Sequence, residues 1–266
     1  MSLLLANLYQ KYNIHQIVNP GALTDALGDV YEDFVEAIFR DLSTLQSWPV
    51  NSLEYNIADQ ILKYLNLNFS QISTISSSRK GIPPTLNGGT PKTDVYLKIG
   101  LVNGLTRLVP LNVKQSTHSK VSFAEYDVAT IINDLSITDP KLIFLLEKHQ
   151  TDASAKNFTP TERMYLRTNL APHVRNLVRW CITLSASPTC QDIRYPEYVI
   201  RFDLHHPKKS GTLGNTLKAV NIYDIEEYID KIMLNLKGQP RSGGFGTGLS
   251  WTYATGSKGK KIQFKG

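Results

Sequence analysis

Two short segments that alternate apolar with polar residues flank the dipeptide Asn103-Gly104, and this arrangement limits the fold of the 266-residue chain more than any other feature. In the first, Val95, Leu97, Ile99 and Leu101 alternate with Asp94, Tyr96, Lys98 and Gly100. In the second, from Arg107 to Lys114, Val109, Leu111 and Val113 alternate with Leu108, Pro110, Asn112 and Lys114. A period of two sends successive side chains to opposite faces, and Asn-Gly is a strong hairpin signal, so the pattern predicts paired strands with one apolar face. Pro110 in mid-strand points to an edge or a bulge. The apolar face needs cover, which amphipathic helices supply.

From about Ala22 to Leu42 the residues Leu27, Val30, Tyr31, Phe34, Val35, Ile38, Phe39 and Leu42 recur at three and four, predicting a helix with Thr24 as N-cap. Asp29, Glu32, Asp33 and Glu36 fall on its other side. Helices are also predicted over 52–65, 123–135 and 143–149. Thr159-Pro160-Thr161-Glu162 is a capping box with proline at the first helical position, so a long helix should run from Pro160 to about Trp180, bent near Pro172. Residues 181–184 and 198–204 read as strands and 225–236 as a helix. The stretch 76–93, rich in Ser, Gly and Pro, reads as a long loop of the functional kind. Helices and strands in this order predict a single α/β domain, with a core over residues 1–230 and a loop-rich segment, 231–266, laid against it.

Composition removes several classes. With 41% hydrophobic residues and no repeat, the chain is neither fibre nor disordered tail. No apolar run approaches the roughly 18 residues of a membrane span. The N-terminus lacks the basic region of a signal peptide, so a soluble cytoplasmic protein without a membrane partner is expected. Cys181 and Cys190 are too few for a disulfide framework and have no zinc-type spacing; both read as small buried residues in a reducing compartment.

The net charge of +6 is informative once located. Residues 231–266 hold seven Lys and Arg and no acid, which leaves −1 on residues 1–230. A one-signed block at a chain end points to a polyanion partner or a solvated tail. Phe245, Leu249, Trp251, Tyr253, Ile262 and Phe264 among the lysines favour an ordered basic surface suited to nucleic acid.

The hairpin decides whether Asp94, Asn112 and Lys114 meet. A two-residue turn at Asn103-Gly104 would oppose Asp94 to Val113 and put Asn112 and Lys114 on the other face. A three- or five-residue loop pairing 102 with 106 would bring Asp94 opposite Lys114, with carboxylate, carboxamide and ammonium on one face. Such a set suits phosphodiester hydrolysis. Asp94 and the Asn112 carbonyl would bind a hard Mg²⁺, and Lys114 would orient the attacking water and stabilise charge on phosphorus. Taken alone, Asn-x-Lys also reads as the polar top of a solvent-edge strand.

Longer blocks carry a resemblance. Gly88-Gly89-Thr90-Pro91-Lys92-Thr93-Asp94, Arg107-Leu108-Val109-Pro110-Leu111-Asn112-Val113-Lys114 and Val121-Ser122-Phe123-Ala124-Glu125-Tyr126-Asp127-Val128 are similar to the MspI-type restriction endonucleases. So is the ending from Gly244 to Lys258, closing with Gln263-Phe264-Lys265-Gly266. The similarity spans nearly the whole chain. It implies a restriction-endonuclease-like fold, a central mixed β-sheet flanked by helices, and a type II enzyme of the PD-(D/E)xK class that cuts double-stranded DNA at CCGG with Mg²⁺, leaving 5′-phosphate and 3′-hydroxyl ends.

By motif match the resemblance gives Asp94 the metal-binding aspartate role, Asn112 the second position and Lys114 the catalytic lysine. Two departures from the broad class stand out: Pro91 lies three residues before Asp94, and Asn112 replaces a carboxylate. A neutral ligand makes a supplementary carboxylate attractive, and Glu32 is the candidate. Ser122, Thr252, Thr255, Gln263 and Lys265 match base-facing positions. Lys258, Lys260 and Lys261 fit phosphate contacts. A cytosine methyltransferase of matching specificity is the implied genetic companion, and monomer or dimer is left open. A non-catalytic, sequence-specific DNA-binding protein is the alternative that keeps the basic segment but not the chemistry.

Overall fold

A computed structural model of the chain describes every residue except 1, 87, 207–214 and 255. In chain order the elements are α1 (Leu3–Lys11), α2 (Pro20–Ile38), α3 (Leu42–Ser47), α4 (Leu53–Tyr64), β1 (Ile72–Ser78), β2 (Val95–Leu101) and β3 (Thr106–Ser116). They continue with β4 (Ser122–Tyr126), α5 (Val128–Asp134), α6 (Pro140–Asp152), α7 (Pro160–Leu170), α8 (Val174–Thr183), β5 (Tyr198–Leu204), β6 (Leu217–Asp224), α9 (Ile225–Met233), β7 (Ser250–Thr252) and β8 (Ile262–Lys265).

The chain forms two compact units. Unit 1 comprises Met1–His118 and Thr189–Asp224; unit 2 comprises Ser119–Pro188 and Ile225–Gly266. The segment 119–188 thus groups with the basic C-terminus, a different partition from the division expected at 230. Unit 2 carries 15 Lys and Arg against 10 Asp and Glu, so it holds most of the positive excess.

Unit 1 is a mixed five-stranded sheet, ordered β1-β2-β3-β5-β6, with its helices packed around it. β3 pairs antiparallel with β2 and parallel with β5, so it is an interior strand and not the edge that Pro110 suggested. The proline is tolerated because β3–β5 pairing begins only at Leu111↔Tyr198, one residue beyond it. On α2 the predicted stripe is the buried one: Leu27, Val30, Tyr31, Phe34, Val35 and Ile38 are at most 3% exposed and join the core with Val95, Leu97, Ile99, Val109, Leu111 and Val113. The helix starts earlier than expected, because Asn19 rather than Thr24 accepts from the first free amides and Pro20 occupies the first turn.

Unit 2 is helical with a three-stranded sheet ordered β4-β8-β7. The Thr159/Glu162 capping box forms as expected. The long helix over 160–180 is two helices, broken by a 3₁₀ turn at Ala171–His173 where Pro172 lacks the amide a continuous helix needs. Residues 181–184 are the end of α8 and not a strand: every residue from Leu177 to Thr183 is buried, and a short apolar run does not distinguish helix from strand by period. Residues 123–126, expected as the start of a helix, lie in β4, and the helix begins only after the Asp127 N-cap. Cys181 is buried as expected, whereas Cys190 is exposed. No helix among the described residues is long and apolar enough to cross a membrane.

Candidate active site

The β2–β3 turn sets the site. Gly104 donates its amide to Leu101 O at 2.9 Å and adopts φ +84°, a left-handed conformation that favours glycine, while Leu101 N donates to Leu105 O at 2.8 Å. The loop is therefore the three residues 102–104, and the ladder runs from Gly100↔Thr106 to Val95↔Leu111. One step further Asp94 faces Asn112. The register lies two residues from the one that would oppose Asp94 to Lys114, and an even shift leaves every side chain on its own face. Asp94, Asn112 and Lys114 consequently share a face, and the apolar set is on the other.

Lys114 Nζ donates to Asp94 Oδ2 at 3.2 Å and to Val113 O at 3.1 Å, and the Val113 amide donates to the same Asp94 oxygen at 2.7 Å. Both charged side chains are 20% exposed, so water screens the pair only in part. Asn112 is 1% exposed, and its Nδ2 donates to Lys92 O, which fixes the amide's orientation. Its Oδ1 is buried and meets no donor among the described residues, and neither does Thr93 Oγ1. An acceptor left so costs about 1–3 kcal/mol unless something electropositive meets it.

Glu32 on α2 belongs to the same electrostatic neighbourhood. Burial and the Asp94 charge push its carboxyl up to about 7, against the opposing pull of Arg79 and Lys114. Arg79, just past β1, binds three α2 carboxylates at once: Asp29 at 2.7 Å, Glu32 and Asp33. Its backbone amide donates to Glu36 Oε1 at 3.0 Å. Burial alone would raise Asp33, but hydrogen bonds from Lys11, Tyr12 and Arg79 hold it below the ordinary carboxylate range. Sequence reading placed the four acids on one helix face and missed their partner. The spacing 29, 32, 33, 36 puts like charges within one turn of each other, which itself signals a cation to be found.

The set fits a hard divalent cation. Asp94, Glu32 and the orphaned Asn112 Oδ1 supply oxygen donors of the kind Mg²⁺ takes. Among the described residues no cluster of three or more His, Cys, Asp or Glu is arranged to hold a metal.

In unit 2 the small sheet aligns most of the expected reading residues. β8 alternates buried Ile262 and Phe264 with half-exposed Gln263 and Lys265. Across the sheet Lys265 pairs with Ser122 and Ser250, and Gln263 with Glu125 and Thr252. Ser122, Thr252, Gln263 and Lys265 therefore form two cross-strand rows on one face. Glu125 stands in the second row, with Gln263 Nε2 3.5 Å from its Oε2; the helical reading of 123–135 hid it. Lys258, Lys260 and Lys261 are exposed, with Lys258 Nζ 5.7 Å from the Tyr253 ring centroid; the Thr130 amide holds the Asp127 carboxyl below its usual range and the Lys261 charge adds to that in smaller measure. Thr255 lies outside the described residues.

Comparison with known proteins agrees with this architecture. The family model "Restriction endonuclease MspI" matches residues 18–266. The type II restriction enzyme MspI of a Moraxella species is 41% identical over 99% of this chain and 98% of its own length. The type II restriction enzyme BsuFI of Bacillus subtilis is 26% identical over 94% of this chain and 61% of its own. A crystal structure of MspI in complex with its cognate DNA superposes with a TM-score of 0.87 at 39% identity, covering 100% of this chain and 99% of that one. Fold, sequence and the hairpin that carries Asp94, Asn112 and Lys114 lead to one assignment: the chain belongs to the MspI family of restriction endonucleases.

Proposed function

We propose that the chain hydrolyses duplex DNA at CCGG with Mg²⁺ held by Asp94, Asn112 Oδ1 and Glu32, giving 5′-phosphate and 3′-hydroxyl ends. The observation that carries this reading is the meeting of Lys114 Nζ and Asp94 Oδ2 at 3.2 Å beside a buried, unpartnered amide oxygen. When bound, a divalent cation supplies Lewis-acid polarisation of the scissile phosphate and a more acidic water.

The chain's own groups do the rest. Asp94 and Glu32 present anionic oxygens, and Asn112 is locked by its bond to Lys92 O so that its carbonyl points one way. Lys114 has one N–H beyond those directed at Asp94 and Val113 O, and its hydrogen bond orients the attacking water or stabilises a phosphate oxygen as charge builds there. Water oxygen bonds to phosphorus and gives up a proton to solvent, the P–O3′ bond breaks, and the leaving O3′ takes a proton from solvent water.

Unit 2 reads the sequence. Lys265 fits guanine O6 and N7, Glu125 accepts from cytosine N4, and Ser122, Thr252 and Gln263 complete the rows; Thr255 is the further candidate beyond the described residues. Lys258 and Lys261 contact phosphates and position the duplex. A nuclease of this kind acts on cytoplasmic DNA and implies a cytosine methyltransferase that protects the host sites.

The test is plasmid digestion with Mg²⁺ followed by sequencing of the fragment ends. Discrete fragments ending at one tetranucleotide are expected. Retarded but uncut DNA would leave only a binding protein.

A further inference from the structure

Unit 2 contains a cleft of about 640 Å³ between the end of α6, the exposed side of α7 and the Ser242–Gly246 segment, within the range of small-molecule sites. Two arginines, Arg163 and Arg167, line it, and no aspartate or glutamate does. Arg163 donates to the Phe158 and Ala155 carbonyls, and neither guanidinium forms an ion pair among the described residues. Arg167 lies across Gly246, where φ is +85° and an added Cβ would come 3.2 Å from its Nε; the glycine permits both the turn and the close approach.

The remaining wall is aromatic. The His149 ring meets Phe245 and Trp251 edge-on, with centroids 5.7 and 5.3 Å away, and those two rings stand 5.1 Å apart. Phe245 and Trp251 are half-exposed, whereas His149 is 3% exposed and its Nδ1 has no hydrogen-bond partner among the described residues. Burial pushes the imidazole pKa down to about 4, so at neutral pH the ring offers one N–H and one lone pair. The ring therefore contributes to the cleft as an uncharged aromatic surface.

Uncompensated guanidiniums select an anion and match phosphate oxygens, and aromatic walls select a flat ring. We propose that this cleft binds a nucleoside monophosphate unit, its base packed on Phe245 and Trp251, its phosphate between Arg163 and Arg167. The site uses no residue of the metal centre. Thr252 lines the cleft and also stands in the reading row with Gln263, so the unit comes either from bound DNA or from free nucleotide.

Full-length protein without divalent cation is titrated calorimetrically with dAMP and with dCMP. Saturable binding at one site per chain is expected, weakened at least about tenfold in the Arg163→Gln, Arg167→Gln double variant, as for loss of charge-assisted phosphate contacts. Arg167→Gln alone breaks no hydrogen bond among the described residues, so it should keep its melting temperature and still weaken binding; Phe245→Leu, which removes the aromatic wall alone, should weaken binding too. A cognate duplex with 2-aminopurine just outside the recognition sequence separates the sources. A fluorescence rise on binding that the double variant loses assigns the unit to DNA, and a flat signal with mononucleotide binding retained assigns it to free nucleotide. No saturable mononucleotide binding together with a flat duplex signal overturns the proposal, as does equal mononucleotide affinity in wild type and double variant.

Discussion

Lys114 Nζ stands 3.2 Å from Asp94 Oδ2, across a hairpin whose three-residue loop puts the two on one face. The ammonium is placed to act on whatever Asp94 holds and not to hold the fold, since the pair is partly exposed and Asp94 keeps the Val113 amide without it. Lys114→Ala should therefore reduce cleavage by about 10²- to 10⁴-fold, the usual worth of a positioned proton donor, while DNA affinity stays unchanged. Plasmid cleavage beside gel retardation in metal-free buffer checks this. Wild-type turnover by the variant would remove the lysine's role.

Asn112 is the departure from a two-carboxylate site, and its Nδ2 bond to Lys92 O shows why an amide is retained. Asn112→Asp would set a carboxylate oxygen against that carbonyl in a buried position. The cation-free protein should lose about 1–3 kcal/mol, and added Mg²⁺ should narrow the gap because the new ligand is anionic. Thermal melts with and without Mg²⁺ measure both effects. An unchanged melting temperature without metal would mean that the amide bond to Lys92 contributes nothing.

Glu32 sets a pH dependence whose sign is fixed. Its folded pKa of about 7 lies above the ordinary 4.5, so the native state binds a proton that the unfolded chain releases. Stability from this group is full below 4.5 and is lost as pH rises through about 7. A bound cation must displace the same proton, so Mg²⁺ affinity should rise about tenfold per pH unit up to about 7 and then level. Denaturant titrations across this range, with Glu32→Gln as the variant that flattens both curves, test the assignment. Parallel curves for variant and wild type would move the titration to another group.

The helix stripe on α2, the hairpin and the Asp94/Asn112/Lys114 set were legible because period and turn chemistry are local. Register was not legible: a two-residue turn at 103–104 separates the three residues, loops of 102–104 or 103–105 keep them together, and the choice rests on which residues bond around Gly104. β4 was hidden because Phe123, Ala124 and Tyr126 also satisfy a helical stripe, and β1 because Ser-rich Ile72–Ser78 shows little apolar alternation. Arg79 and Glu125 acquire their meaning from partners 43 to 50 and 138 residues away, which no local pattern reports.

Arg79 is the counter-charge for a helix face that would otherwise repel itself. Its side chain is 22% exposed and bound to Asp29, Glu32 and Asp33, so Arg79→Ala should cost about 3 kcal/mol at neutral pH, as for breaking a largely buried ion pair. The loss should shrink in acid as the carboxylates protonate. Arg79→Lys should recover only part of it, because one ammonium does not reproduce the guanidinium fork. Urea unfolding at neutral and acid pH checks all three, and a loss that does not vary with pH would contradict the electrostatic account.

Lys265 and Glu125 occupy adjacent rows of one exposed face, a cation and an anion suited to the guanine and the cytosine of a G·C pair. Each alanine variant should reduce discrimination between the cognate duplex and a single-base substitution by about 1–3 kcal/mol. Removing Glu125 also takes away the acceptor facing Gln263, so its effect and that of Gln263→Ala should be less than additive. Competition binding without metal, against duplexes altered at one base pair at a time, reads these differences. A uniform drop in affinity for every duplex would reassign the altered side chain to the phosphate backbone.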